Sequence, residues 1–325
     1  MSVTRPTACP PRRTRRPLLL ATATVLVASL ATACGDSTAS TSSGSTDGVT
    51  GGTSGNAGTA PRRSGPACPG ATGTPGGPAT PAPPEAAQRR VRTSVYFLHG
   101  EQVSPAPRTV STPATAAGSL RALLAGPDRY ERDHGRTTSI PAGTRLRSIA
   151  VRGHVATIDL SGRYDDGGGT LSMRARLAQV VFTATRFPTI RKVSFELDGE
   201  PVTAFGGEGI VLDHPVGRAD FEDLAPLILV ESPLIGDTVR TPLRIRGSAN
   251  TFEATLRLKL TDAAKRTAAD VLVTATSGTG TRGTFDVTVP YKATRSGAGK
   301  LTAYWNSPKD GRPVIEDTVP LRIQR

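Results

Sequence analysis

A long stretch with almost no large apolar side chain, residues 35–88, limits where this chain can build a folded core. It consists mainly of Gly, Ser, Thr, Ala and Pro, as in TSSGSTDGVTGGTSG and PGGPATPAPPEAA. A segment of this composition cannot bury enough apolar surface to offset the conformational entropy that folding removes. The composition therefore predicts a disordered tether over residues 34–90, spanning on the order of 40 Å as a coil. All folded structure is expected in residues 91–325.

Residues 1–33 have the three parts of an export signal. Five arginines precede an apolar core over residues 18–30, and small residues follow that core. The core is shorter than the roughly 20 residues that a helix needs to cross a bilayer, so a membrane span is not predicted. Paired arginines, Arg12-Arg13 and Arg15-Arg16, leave both general secretion and twin-arginine export open.

The segment Leu30-Ala31-Thr32-Ala33-Cys34 resembles the lipobox of bacterial lipoproteins, although Ala31 stands where that motif more often has Leu. The resemblance implies a lipid on Cys34 and a chain anchored on the extracytoplasmic face of the cell membrane. Each buried methylene of an acyl chain contributes roughly 0.8 kcal/mol, so two or three long chains hold a protein permanently. The alternative is ordinary cleavage after the A-x-A pattern at residues 31–33, which would leave Cys34 and Cys68 free to pair.

Positive charge gives limited information about partners. The whole chain carries +13 at pH 7, and loss of the five leader arginines would lower this to +8. No Arg-rich cluster with interleaved aromatic residues occurs within residues 91–325, so nucleic-acid binding is not predicted. The excess charge favours weak attraction to anionic wall polymers or lipid headgroups, and biased genome composition explains it equally well.

Residues 91–206 carry alternating strand and helix patterns. The apolar periodicity and the turn residues predict a strand over 93–98, a helix from Thr112-Pro113 to Gly126-Pro127, a hairpin of 145–151 with 155–160, a helix over 172–186 and a strand over 192–197. In the second helix, Met173, Leu177, Val180, Val181 and Ala184 lie on one face. This order predicts an α+β domain in which two helices cover one face of a small mixed sheet.

This region resembles the GerMN domain of GerM-type sporulation and germination proteins and of actinobacterial envelope lipoproteins. The resemblance rests on LRALLAGP, SIPAGTRLRSIAVRGHVATIDLS and ARLAQVVFTATRFPTIRKVSFELDGEPV. These residues are mainly helix ends, turns and core positions. The resemblance therefore implies a non-catalytic module, similar to domains that build rings in sporulation secretion complexes.

Residues 227–325 follow a connector at 207–226 and have the rhythm of an all-β domain. Seven short β-prone runs are separated by turn residues, at 227–230, 243–248, 255–260, 271–276, 284–289, 301–306 and 318–323. This pattern predicts a β-sandwich. The segments ILVESPLIGDTVRTPLRIRGSANTFEATLRLKLTD, GTFDVTVPY and LTAYWNSPKDG resemble the immunoglobulin-like domain of spore-germination proteins. We expect the two domains to be separable, with few large apolar residues of the connector available to hold an interface.

Few residues suggest a catalytic or metal-binding role. His99, His134, His154 and His214 stand singly, with no metal-binding spacing, and no acyl-transfer motif occurs, so neither a cofactor nor an enzyme is predicted. Asp165-Asp166 before three glycines is expected to be a solvated loop rather than a calcium site. Asp159, Glu196 and Asp198 form a weak candidate for a hydrolytic carboxylate pair, which geometry must decide. Tyr304 and Trp305 are expected in the core, with an exposed sugar-stacking patch as the alternative.

These observations predict a membrane-anchored interaction protein whose two modules dock envelope proteins or cell-wall polymer. A peptidoglycan- or carbohydrate-binding protein is the alternative. Open sheet edges, such as the run from Arg145 to Val151, suggest self-association through the GerMN domain, although charges on an edge also serve to discourage pairing. The sequence does not decide between a role in sporulation and one in envelope maintenance.

Overall fold

The computed structural model describes residues 89–206 and 209–325, which fall in one compact unit. The predicted leader, the Cys34 lipid site, Cys68 and nearly all of the predicted tether lie outside the described residues. No helix within the described ranges is long and apolar enough to cross a membrane.

The first region, residues 90–211, mixes helices and strands. In chain order its elements are β1 (Arg90–His99), β2 (Gln102–Ser111), α1 (Thr115–Leu124), α2 (Arg129–Asp133), β3 (Arg136–Thr137), β4 (Leu146–Arg152), β5 (Val155–Leu160), α3 (Thr170–Ala184), β6 (Lys192–Leu197), β7 (Glu200–Pro201), β8 (Ala204–Phe205) and β9 (Ile210–Val211). The predicted α+β class is therefore confirmed.

The first predicted strand does not belong to the mixed sheet. It is β1, and it pairs along its whole length with β2, a strand that the sequence pattern did not reveal. Pro105 and Pro107 concealed β2, since proline cannot donate to a strand ladder; both are tolerated because β2 is the edge strand of the order β2-β1-β3. Helix α1 begins at Thr115 rather than at Pro113, because Thr112 closes the end of this hairpin through its backbone bond to Arg89.

The mixed sheet has the order β4-β5-β6-β7. The predicted hairpin is β4–β5, and α3 connects β5 to its parallel neighbour β6. The predicted face of α3 is buried, and so are Ala175, Ala178 and Phe182 on its other sides. The reason is that α3 packs against β1 and β2 of one sheet and against β6 of the other.

The second region is the predicted β-sandwich. Its strands are β10 (Ile228–Ser232), β11 (Thr238–Val239), β12 (Leu243–Ala249), β13 (Thr255–Thr261), β14 (Thr267–Thr274), β15 (Gly283–Val289), β16 (Gly297–Asn306) and β17 (Pro313–Ile323). They form a three-stranded sheet, β10-β12-β15, and a five-stranded sheet, β11-β17-β16-β13-β14. Each of the seven predicted runs overlaps one strand, and the short β11 is an addition.

Strand β10 contributes to the cores of both regions. Leu229 packs in the first hydrophobic cluster, whereas Ile228 and Val230 pack in the second. Successive side chains of a strand point to opposite faces, so one strand can serve two cores. Phe221 and Leu224, from a 3₁₀ segment over Arg218–Leu224, are buried in the first cluster as well. The expectation that the connector lacks apolar residues able to hold an interface is therefore wrong.

Candidate interaction surfaces and the module junction

A partly buried polar network joins the two regions beside β10. The Arg218 guanidinium lies 2.6 Å from a carboxylate oxygen of Glu231, and the Tyr96 hydroxyl donates to the same oxygen at 2.7 Å. Arg218 also donates to the Tyr96 hydroxyl at 3.2 Å. Its guanidinium lies over the rings of Phe182 and Tyr96, at 4.9 Å and 5.2 Å from their centroids. We call Tyr96, Arg218 and Glu231 the junction triad.

The electrostatics of the junction triad keep its ion pair charged. Burial and then the Glu231 charge raise the pKa of the Tyr96 hydroxyl, so it remains a donor. Burial alone would raise the pKa of Glu231, but the Arg218 charge and the hydrogen bonds from Tyr96 and Arg218 outweigh burial and lower it. A charge-assisted pair of this kind fixes geometry more strongly than neutral hydrogen bonds do.

Further polar contacts tie the regions together. Arg282 of the sandwich donates to Glu222 of the 3₁₀ segment at 2.9 Å, and Asn250 donates to the same carboxylate at 3.0 Å. Arg92 of β1 pairs with Asp237 in the loop before β11. These contacts join the two regions at points away from the junction triad.

A second buried contact lies between β3 and β17. Arg136 donates to the carbonyl oxygens of His134 and Thr318 at 2.9 Å and 3.4 Å. Burial raises the pKa of the neighbouring Asp317 to about 6, although the Arg136 charge acts in the opposite direction. One Asp317 oxygen accepts a 3.3 Å hydrogen bond from the Val230 amide. This contact holds a titratable group inside the assembled structure.

The candidate carboxylates do not form a hydrolytic pair. Arg147 lies between Asp159 and Asp198, at 3.2 Å and 3.3 Å from their oxygens. Asp159 also accepts from the Gly199 amide, and Asp198 accepts from the Gly162 amide. Glu196 is the register partner of Asp159 on the neighbouring strand. Because a cation and backbone amides already occupy Asp159 and Asp198, these residues stabilise the end of the mixed sheet.

The candidate metal residues are also dispersed. Within residues 89–206 and 209–325, no group of three or more His, Cys, Asp or Glu side chains is arranged to hold a metal ion. Asp165 accepts a hydrogen bond from the Gly206 amide, and Asp166 pairs with Arg163. The four histidines have separate surroundings: His99 has its pKa lowered by burial and by Arg136, the His134 ring is tilted by 42° against the Tyr130 ring, His154 lies near the Thr189 carbonyl, and His214 lies near Asp213.

Tyr304 and Trp305 lie on β16 but do not form a flat aromatic platform. The Tyr304 hydroxyl donates to Asp270 at 2.9 Å and accepts from Arg257. Trp305 is half-buried against the sandwich core, and its indole N–H donates to Glu316 at 2.7 Å. Both polar groups are already bonded within the protein, so the alternative of a sugar-stacking patch is not favoured.

Two exposed features of the described residues are taken as candidate surfaces. Strand β4 is an edge of the mixed sheet, with Ser148, Ala150 and Val151 exposed along it. A groove of about 770 Å³ crosses the outer face of the five-stranded sheet and is bounded by His134 of the first region. Its other lining residues include Lys259, Lys265 and Lys300, and we call it the lysine groove.

Comparison with protein families agrees with this architecture. Residues 94–203 match the family described as Germane, sporulation and spore germination. Residues 227–312 match Gmad2, the immunoglobulin-like domain of bacterial spore germination. The chain thus carries a GerMN domain followed by an immunoglobulin-like domain of the spore-germination type. Neither description names a catalytic activity.

Solved structures with similar chains include the following three. A Clostridium perfringens protein described as a lipoprotein is 21% identical, with 42% of this chain and 93% of that chain covered and a TM-score of 0.31. The tandem GerMN domains of the sporulation protein GerM from Bacillus subtilis are 13% identical, with 62% of each chain covered and a TM-score of 0.34. The first of those GerMN domains alone is 18% identical, with 40% and 99% covered and a TM-score of 0.33. Comparison with curated proteins gave no match.

Proposed function

We propose that this protein is a non-catalytic, lipid-anchored scaffold on the extracytoplasmic face of the cell membrane. Its two modules dock envelope proteins or cell-wall polymer, in a process linked to sporulation or germination. The descriptions of both matched families support that link. Envelope maintenance in growing cells is the alternative process.

The junction triad is the observation that carries this proposal. A scaffold must hold its binding faces at a fixed separation, and flexible linkage is the usual expectation for neighbouring domains with small interfaces. Here a charged pair, a buried phenol and shared core residues replace that flexibility. Contacts that hold the two modules in one relative orientation suit a protein that presents two binding faces to partners at once.

Attachment through Cys34 is the second part of the proposal. A membrane anchor raises the local concentration of binding faces, so contacts too weak to detect in solution become populated. Replacing Cys34 by Ala should move the protein from the membrane to the soluble fraction and abolish incorporation of labelled fatty acid. Cys68→Ala is the matched control and should keep both properties. Membrane retention of Cys34→Ala, together with no labelling of the parent chain, would contradict the anchor.

Docking is tested by crosslinking in living cells. A photoreactive residue at Ser148 on β4, or at Lys300 in the lysine groove, should capture discrete envelope components. Thr288, exposed on β15, is a control position that lies on the other sheet of the sandwich. Equal capture from all three positions would argue against defined docking faces.

A second candidate function is the binding of peptidoglycan or another carbohydrate polymer. The lysine groove favours it, because the groove offers hydroxyl and ammonium donors on one open face. Sedimentation with peptidoglycan freed of other polymers distinguishes the two functions. Saturable binding by the protein alone supports carbohydrate recognition, whereas its absence supports the scaffold.

A further inference from the structure

We propose that the lysine groove binds a linear anionic polymer bearing phosphodiester groups. This inference specifies one partner of the proposed docking function and rests on it. Charge is the first reason: three of the six lysines in the chain line this groove. None of the three forms an ion pair in the part of the chain that the structure describes. Their charges are therefore available to an external anion.

Strand pairing places two of these lysines together. In the β13–β16 ladder, Lys259 is opposite Thr302, and Lys300 is opposite Thr261. The two lysines are thus diagonal neighbours on the same face of the sheet, a relation that brings side chains within about 8 Å of each other. Thr302 is in turn opposite Thr318 on β17, so hydroxyl groups line the groove between its charges.

The carboxylate of the groove already has its oxygens hydrogen-bonded to other groups of the protein. Asp262 accepts hydrogen bonds from the amides of Ala264, Arg266 and Thr294 and from the Thr294 hydroxyl, at 2.6–3.0 Å. These bonds favour the ionised carboxylate and fix the β13–β14 turn that carries Lys265. Asp262 therefore positions a lysine rather than competing with an external anion for it.

The lysine side chain suits phosphate spaced along a flexible polymer. An ammonium group is a compact charge with rotating donors, whereas the planar guanidinium favours a fixed bidentate geometry. The chain uses arginine almost everywhere else, including every ion pair of the junction. Neighbouring ammonium groups can donate hydrogen bonds to successive phosphates of a polymer in more than one alignment. The Thr hydroxyls can bind polyol or sugar groups between those phosphates.

The shape of the groove favours a polymer over a membrane surface. His134 of the first region and Lys265 of the β13–β14 turn both line the groove, so more than one element bounds it. A flat bilayer meets the most protruding side chains first, whereas a single polymer strand can follow a groove that several elements line. Ile315, 64% exposed, lies along the groove and offers apolar contact to the polymer backbone.

Binding of poly(glycerol phosphate) by the full chain in detergent tests this inference. The double variant Lys259→Gln/Lys300→Gln should weaken binding by about tenfold or more, because it removes two charge-assisted contacts. The dependence of binding on salt should also become shallower, since fewer counterions are released. The matched control Lys192→Gln/Lys309→Gln has the same net charge and should bind within about twofold of the parent, as expected when charge acts locally.

Three outcomes would overturn the inference. They are absence of binding by the parent chain, equal weakening by both double variants, and binding to phosphatidylglycerol vesicles without binding to the polymer. Neutral dextran should not bind. Both variants should melt at the temperature of the parent chain, because none of the four substituted side chains is buried. Measuring these melting temperatures checks that the fold is intact. The assay needs neither membrane anchorage nor an envelope protein. A negative result would therefore not contradict the scaffold proposal, which the crosslinking and fractionation experiments test separately.

Discussion

Tyr96 donates a 2.7 Å hydrogen bond to Glu231, a residue 135 positions later in the chain. Tyr96 lies on the central strand of the first sheet, and Glu231 lies on the strand that serves both cores. Arg218 completes the contact from the segment between the two domains. This bond therefore reports directly on whether the two domains are assembled.

Replacing Glu231 by Ala should destabilise the assembled structure by about 2–4 kcal/mol, because Arg218 is left partly buried without its partner. Urea unfolding measures this change. Glu101→Ala, in the exposed turn between β1 and β2, is the control and should change stability by less than about 0.5 kcal/mol. Limited proteolysis should cut residues 213–226 faster in Glu231→Ala than in the parent. Two stable fragments from the parent at low protease dose would instead support separable domains.

Stability should depend on pH through Asp317. Burial raises its pKa in the folded protein from 3.8 to about 6. Between about pH 4 and pH 6, Asp317 therefore stays protonated in the folded state but is ionised in the unfolded chain. Its contribution to stability is complete below about pH 4 and is lost as the pH rises through about 6. The loss should be about 3 kcal/mol, at 1.36 kcal/mol for each pKa unit. The Asp317→Asn variant lacks this titration, so the difference between the two urea-derived stability curves isolates it. Parallel curves from pH 4 to 7 would refute the assignment.

Gly247 tests the packing of the three-stranded sheet. An added Cβ would overlap the Leu229 carbonyl oxygen and lie 2.6 Å from Cζ of Phe285. Gly247→Ala should therefore destabilise the fold by about 1–3 kcal/mol, as overpacking commonly does. Gly169→Ala has open space around the new methyl group and should cost less than about 0.5 kcal/mol. Equal melting temperatures for the two variants would contradict this close approach.

Self-association through β4 remains a prediction. Cysteine at Ser148 or Ala150, in a Cys68→Ala background, should form disulfide-linked dimers when the protein is on the membrane. The same variants with Cys34 also replaced should remain monomeric, because the local concentration is lower. Cysteine at Thr288 serves as the control position. No dimer in either form would indicate that the charged edge residues, including Arg147 and Arg152, discourage pairing.

Local patterns in the sequence predict the single elements of the fold well. The α3 face and the β4–β5 hairpin follow from side-chain periodicity and from turn residues, which act over a few positions. Strand β2 escaped prediction because its prolines oppose a strand locally, and the edge position that permits them is a property of the sheet.

The surfaces with functional interest could not be predicted in the same way. In the sequence, Tyr96 is one residue of the apolar run TSVYFL. Its phenol hydroxyl, a polar group within that run, was the available sign that a hydrogen-bond partner lies nearby. Its partners Arg218 and Glu231 come from two later segments. Lys259 and Lys300 become neighbours through the β13–β16 register, which no short-range pattern contains. The Cys34 site lies outside the described residues and stays a prediction from its motif.

The pairing of β1 also has a mechanical consequence. Tension applied ahead of Arg90 enters the fold through a central strand that is hydrogen-bonded to β2 from Arg90 to His99. Antiparallel hydrogen bonds run perpendicular to their strands, so a load along β1 is shared among many of them and does not peel them apart one by one. If the proposed lipid on Cys34 holds this end, a pull directed along β1 would be resisted by the whole β1–β2 ladder.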